Sequence, residues 1–273
     1  MTKKHYTSLA SSLFGKFANR ENPTPLQNII NRTYVKSMGL DMSRFDTPES
    51  YKSLNKLFTR ALKQMPKFDK KIGVIISPVD ALITDFGQIK EGKAYQIKGM
   101  SYNIDYLLGS NYSQDLKLLN GGNFVNFYLS PKDYHRYHIP LDLQVLSATH
   151  IPGKLYPVNM PLLKNKLNLF IENERVVLEC ITKNGKKLFM VLVGALNVGK
   201  MVLTFDDRIQ TNACASEVTH YKYDDLKFKK GDLFGWFEMG STIVIFTEEG
   251  LATFDDLQIN QKVTFGDTIG KVL

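Results

Sequence analysis

Three short stretches carry residue types suited to acyl chemistry. Ser77-Pro78-Val79-Asp80 supplies a carboxylate, Tyr134-His135-Arg136-Tyr137-His138 two imidazoles, and Gly240-Ser241-Thr242 hydroxyls. Together they form the residue set of an activated serine, with a base to take its proton and an acid to orient the base. The serine follows a glycine and opens an apolar run, Ile243-Val244-Ile245-Phe246. A hydroxyl placed there can attack the carbonyl just before it, so the chain reads as its own first substrate. Glycine at 240 removes the Cβ that would obstruct a bent peptide. Singly, each stretch is ordinary. Gly-Ser-Thr is a common strand entry, and an aspartate after Pro-Val commonly satisfies its own turn. His135 and His138 have the i, i+3 spacing of a metal pair, but Pro131 and Pro140 argue against a long helix and no third ligand is placed, so no metal is expected.

The elements that must position these residues change character along the chain. Tyr6, Leu9, Leu13 and Phe17 recur at helical spacing among Lys3, Lys4, Lys16 and Arg20. A second helix is expected from Thr24 as N-cap, with Pro25 at the first position and Gln27 closing a capping box. Its stripe is Leu26, Ile29, Ile30, Tyr34 and Met38, and Gly39 stops it. Thr47-Pro48 signals a third helix carrying Tyr51, Leu54, Leu57, Phe58 and Leu62. From residue 72 short strands take over: Ile72–Ser77, Asn123–Ser130, Arg175–Thr182 and Lys187–Gly194. Asn184-Gly185 between the last two signals a two-residue hairpin, and Asn103–Leu108 a short helix. Gly231-Asp232-Leu233-Phe234-Gly235 and Gly266-Asp267-Thr268-Ile269-Gly270 repeat one Gly-Asp-x-x-Gly pattern, as turns of a single sheet sandwich would. The fold class is therefore α+β: N-terminal amphipathic helices, then a mainly antiparallel β core with barrel-sandwich-like character. The division falls at residues 1–71 and 72–273.

Charge follows the same division. Of 35 Lys and Arg and 27 Asp and Glu, residues 1–71 hold 14 and 5, a net of +9, and the remainder 21 and 22, a net of −1. A polyanionic partner for the first quarter is implied, an acidic membrane surface or nucleic acid. No groove-reading or base-stacking element is evident, whereas basic flanks and aromatics on the first helix suit a headgroup layer. No run reaches the roughly 18–20 apolar residues that cross a bilayer. Lys16 and Arg20 interrupt any signal-peptide core, although an acid-free start also resembles a transit peptide. Cys180 and Cys214 form no framework and point to a reducing compartment.

Combined, the motifs resemble those of phosphatidylserine decarboxylases, the pyruvoyl-dependent enzymes that make phosphatidylethanolamine, from the basic amphipathic start to Met239-Gly240-Ser241-Thr242. The resemblance implies cleavage between Gly240 and Ser241 into chains 1–240 and 241–273, with Ser241 becoming a covalent pyruvoyl group that forms a Schiff base with the substrate amine. It implies Asp80, His138 and Ser241 as the self-cleavage triad and His135 as the acid/base of decarboxylation. It also implies a homodimer acting in phospholipid biosynthesis; the lack of a secretory signal places it, as an expectation, on the cytoplasmic side of a cell membrane. Two departures stand out: Met239 replaces the usual leucine, and Ala81 the glycine common after the aspartate. Arg175, in Asn173-Glu174-Arg175, is read as structural or carboxylate-orienting, Arg136 as solvated or salt-bridged, and His150 and His220 as core or surface residues. The alternatives are a pyruvoyl decarboxylase of a soluble amino acid and a non-catalytic β protein on anionic membranes.

Overall fold

The computed structural model describes residues 14–97, 100–158, 160–166, 168–196, 200–211, 217–238, 241–254 and 256–273. Tyr6, Leu9, Leu13, Cys214, Met239 and Gly240 lie outside the described residues. Among the described residues sixteen strands follow in order: β1 (Val74–Ile76), β2 (Ala81–Gln88), β3 (Lys93–Ile97), β4 (Met100–Asn103), β5 (Asn123–Leu129), β6 (Arg136–His138), β7 (Leu143–Ile151) and β8 (Arg175–Thr182). Then come β9 (Lys187–Gly194), β10 (Met201–Leu203), β11 (Thr219–Phe228), β12 (Leu233–Phe237), β13 (Ser241–Thr247), β14 (Ala252–Thr253), β15 (Lys262–Val263) and β16 (Thr268–Val272).

One eight-stranded sheet dominates, in the order β11-β7-β8-β9-β13-β5-β2-β15, with every pairing antiparallel. Its middle explains the run after Ser241. Ile243, Val244, Ile245 and Phe246 are all buried, so β13 meets apolar neighbours on both faces and reads as continuous rather than alternating. The helices Ile104–Leu108 and Leu169–Glu172 add Leu107, Leu108, Leu169 and Phe170 to the same core. Asn103 caps the first of these by accepting from Asp105 N–H at 2.9 Å. Among the described residues the sheets do not close into a barrel.

Two small sheets realise the repeated glycine pattern, one copy in each. Gly231-Asp232 opens β12 in the sheet β10-β12-β6, and Gly266-Asp267 opens β16 in the sheet β1-β16-β14. Locally the two are the same structure. Asp232 accepts from Lys229 N–H at 2.8 Å and Asp267 from Thr264 N–H at 2.7 Å. Gly231 and Gly266 take φ of 88° and 97°, the left-handed region open to glycine. The registers match too: Ile76↔Thr268 and Ile75↔Gly270 correspond to His138↔Leu233 and Tyr137↔Gly235. The two units meet reciprocally, His138 N–H donating to Pro78 O at 2.9 Å and Ile76 N–H to Pro140 O at 3.0 Å. This is a local pseudo-twofold, and it pairs Ser77-Pro78-Val79-Asp80 with Ile139-Pro140-Leu141-Asp142.

Before residue 72 the helical expectation holds in part. The helix Thr24–Met38 stops at Gly39 in the left-handed conformation, but Pro23 occupies the cap position and no side chain caps it. Gln27 accepts instead from Asn22 Nδ2 at 2.9 Å and donates to Asn31 at 2.8 Å, and both Gln27 and Asn31 are buried. The third helix breaks into a 3-10 turn, Pro48–Ser50, and the short helix Leu54–Phe58 with Ser53 as its cap. Thr182 and Lys187 bracket four residues around Asn184-Gly185, closed by Thr182 N–H to Lys186 O at 3.0 Å, so that hairpin is longer than two residues.

Phe246→Ala should cost about 3–5 kcal/mol of unfolding free energy in urea titration, because it empties a fully buried site in β13. A loss below about 1 kcal/mol would mean that the middle of the sheet is not close-packed.

Candidate active site

The register around Ser241 brings the separated motifs together. Ser241 pairs with Leu129, the last residue of β5, and with Gly194, the last of β9. On the other side of Met239-Gly240, Phe237 N–H donates to the carbonyl of His135 at 2.9 Å, and Trp236 pairs with Arg136 at the start of β6. One segment, residues 129–136, therefore spans the link between β12 and β13, bonded to both of its ends. Asp133 folds this segment by accepting from Ser130 N–H and Oγ, each at 2.7 Å.

His138 is held on every side. Its Nδ1–H donates to Gly231 O at 3.0 Å; the partner is a carbonyl, so Nδ1 carries the proton and Nε2 the lone pair. Tyr134 Oη–H donates to that lone pair at 3.0 Å. The ring lies flat on Phe265, centroids 3.7 Å apart and planes 13° from parallel. Burial holds the imidazole down to about 4, so it is neutral near pH 7.

Asp80 sits beside this group without bonding to it directly. Its Oδ1 accepts from Phe265 N–H at 2.8 Å and its Oδ2 from Arg44 at 2.7 Å. Asp80 thus reaches His138 through the residue on which the imidazole rests. Burial raises its pKa, opposed by Phe265 N–H and Arg44. Arg44, from the N-terminal quarter, was not singled out from the sequence, because an arginine in a loop carries no local signal.

His135 differs from His138 in having a vacant ring atom. Its Nδ1–H donates to Asp133 O at 2.8 Å, so Nε2 is again the lone-pair atom. Nε2 is buried and has no hydrogen-bond partner among the described residues, as is true of Thr242 Oγ1. The ring packs on Phe58 at 4.0 Å, and burial lowers its pKa to about 3. A buried acceptor left open costs about 1–3 kcal/mol, which favours a polar group entering beside it.

The other candidates have structural partners. Arg175 donates to the carbonyls of Leu107, Ile171, Asn173 and Tyr106. Asn173 Nδ2 and Glu174 O hold the carbonyl and N–H of Gly194, each at 2.8 Å, and so fix the strand end opposite Ser241. Arg136 donates to Thr59 O at 2.9 Å and lies over Trp236. His150 bonds Glu174 and His220 bonds Thr149.

The family model for phosphatidylserine decarboxylase matches residues 54–271. The chain is 48% identical over 263 residues to the phosphatidylserine decarboxylase proenzyme of Helicobacter pylori, covering 96% of each. It is 46% identical over 269 residues to that of Campylobacter jejuni, covering 97% of this chain and 98% of the relative. For that of Marinobacter nauticus the identity is 35% over 269 residues, with 96% and 93% covered. The chain belongs to the phosphatidylserine decarboxylase family. It is an enzyme of the carboxy-lyase class, and the motifs that suggested this family are those the strand register gathers.

Acid should weaken this fold through its histidines. Each folded-state value lies below the ordinary 6.5 or so, at about 4 for His138 and about 3 for His135. Their neutral forms stabilise fully above about pH 6.5, and that contribution is lost as pH falls towards those values. Asp85, raised to about 6 by burial, acts in the opposite sense. His135→Gln should therefore flatten the fall in unfolding free energy between about pH 7 and about pH 5, relative to the parent protein. Identical slopes would show that His135 is not held neutral.

Proposed function

We propose that the chain cuts itself between Gly240 and Ser241, that Ser241 becomes a pyruvoyl group, and that the resulting pair of chains converts phosphatidylserine to phosphatidylethanolamine and carbon dioxide. The observation that carries this reading is the segment 129–136 bonded to both ends of the Phe237–Ser241 link. His138 takes the Ser241 hydroxyl proton during self-cleavage, and Asp80 supports it through Phe265. A pyruvoyl group fits the junction, where the open His135 Nε2 and Thr242 Oγ1 would receive its polar atoms or those of the substrate. Such a group supplies an electron sink for the pair released as carbon dioxide leaves. His135 Nε2, whose lone pair is open, would take a proton from the arriving substrate ammonium and return it to the former α-carbon.

The small chain, 241–273, would stay in place without a covalent link. It contributes β13 between β9 and β5, β15 beside β2, and β16 beside β1.

A peripheral position on an anionic membrane is supported by the N-terminal quarter. The helix Thr24–Met38 turns Gln27 and Asn31 inwards and exposes Leu26, Ile29 and Met38, with Phe17 also exposed. Lys16, Arg20, Arg32 and Lys36 are exposed in the same segments. An apolar surface among cations suits a headgroup layer, each cation adding about 1 kcal/mol at an anionic surface. Among the described residues no helix is long and apolar enough to cross a membrane.

Denaturing mass spectrometry tests the first step. Ser241→Ala and His138→Ala should leave one uncut chain, whereas His135→Ala should be cut and yet decarboxylate at under about a hundredth of the parent rate. Asp80→Asn should block cutting while Asp142→Asn, its pseudo-twofold counterpart, should not. Equal effects of the two would reduce Asp80 to a turn clamp. Leu26→Glu with Ile29→Glu should lower binding to anionic vesicles in a sedimentation assay; unchanged binding would remove this helix from the membrane contact.

A further inference from the structure

The structure leaves His138 without a free lone pair. Nδ1–H is committed to Gly231 O, and Nε2 accepts the hydroxyl of Tyr134, both at 3.0 Å. A base in that condition moves a proton only through the group bonded to it, or after that group has left. Departure is costly here. Tyr134 is 2% exposed, and its ring packs against Phe45 at 6.0 Å, His138 at 5.8 Å and Phe265 at 6.4 Å. Swinging it out would open the cluster of Phe45, Ile76, Tyr134 and Phe265. The hydroxyl has one hydrogen, given to Nε2, and its oxygen lone pairs remain able to accept a second donor.

We infer that Tyr134 Oη is the relay atom through which His138 takes the proton of the serine hydroxyl, an inference that rests on the reading of His138 as the base of self-cleavage. In this step Ser241 Oγ–H passes its proton to Tyr134 Oη as Tyr134 passes its own to His138 Nε2. The electron pair left on Oγ forms the bond to the carbonyl carbon of Gly240, whose π pair moves onto the carbonyl oxygen. Tyrosine ends neutral, histidine gains one positive charge with Nδ1–H still on Gly231, and the tetrahedral oxygen carries one negative charge. Burial raises the Tyr134 phenol well above its ordinary value, so a free tyrosinate is disfavoured and the two transfers are coupled.

The test uses the full chain made by cell-free synthesis, with cutting followed over time on denaturing gels. Tyr134→Phe keeps the packed ring and should slow cutting at least about tenfold, the lower bound of a general acid–base contribution being larger still. Losing the hydroxyl also removes a bond that favours neutral imidazole. The acid limb of the rate profile should therefore move to higher pH, with the other charges near the ring, Arg136 and Asp232, unchanged. Cutting at the parent rate or faster would make the hydroxyl a bystander or a plug and overturn the relay. Slower cutting with an unmoved profile and a lowered melting temperature would assign Tyr134 to packing and also overturn it. Should the variant not fold, the parent chain decides: its rate in water and heavy-water mixtures should curve with deuterium fraction, as two protons in flight require, and a straight line would refute the relay. His138→Ala cutting normally would instead refute the reading of His138 itself.

Discussion

The double pairing of β13 is the constraint on which the site depends. Its residues bond to β9 along one edge and to β5 along the other, and its side chains are buried on both faces. A strand held this way cannot slip by one residue without carrying Thr242 and the apolar run to opposite faces. Ser241 is therefore fixed opposite Leu129 and Gly194. The preceding strand, β12, lies in a different sheet, so the last residue of β12 and the first of β13 belong to separate ladders.

Burial gives the two histidines their character, and hydrogen bonding sets them apart. Both rings are neutral, both donate Nδ1–H to a main-chain carbonyl, and both rest against a phenylalanine. The difference is at Nε2, filled by Tyr134 in His138 and, among the described residues, open in His135. An open acceptor suits exchange with a group that arrives from outside, whereas a filled one suits transfer within the folded chain. The N-terminal quarter supplies part of this environment: Phe58 packs on His135, Arg44 meets Asp80, and Arg60 donates to the carbonyls of Lys132 and Asp133.

Much of this could be read from residue types alone, wherever a signal is local. Asn103 as a cap, Gly39 as a stop, and the strands Arg175–Thr182 and Lys187–Gly194 each follow from neighbouring residues. Gln27 failed as a capping-box partner because burial against Asn22 and Asn31 offered it better bonds. The third helix, expected to start at Thr47-Pro48, broke where Asn31 Nδ2 donates to the carbonyls of Pro48 and Tyr51, a contact across the fold that no window reveals. The site residues were legible as types; their linkage was not. Asp80, His138 and Phe265 meet through a backbone N–H and a stacked ring, and neither leaves a mark in spacing.

The pseudo-twofold separates what Asp80 shares with an ordinary turn from what it does not. Asp142, its counterpart, accepts from Lys230 N–H at 2.9 Å, just as Asp80 accepts from Phe265 N–H, and pairs with Lys183 as Asp80 pairs with Arg44. A carboxylate clamping the residue before a Gly-Asp turn is therefore part of the scaffold in both halves. The halves differ in what the clamp presents. At Asp142 the clamped residue is Lys230, whose ammonium is spent on the carbonyls of Lys71 and Val74. At Asp80 it is Phe265, a flat apolar face against which an imidazole can lie, and the strand position matched by Ile76 in one half is His138 in the other. Replacing an aliphatic residue by a histidine, and a lysine by a phenylalanine, turns one copy of a structural corner into a place where a proton can be held. Phe265 belongs to the segment after residue 241, so the cut proposed before Ser241 would leave that ring anchored by its N–H on Asp80, and the two proposed chains would still share this corner.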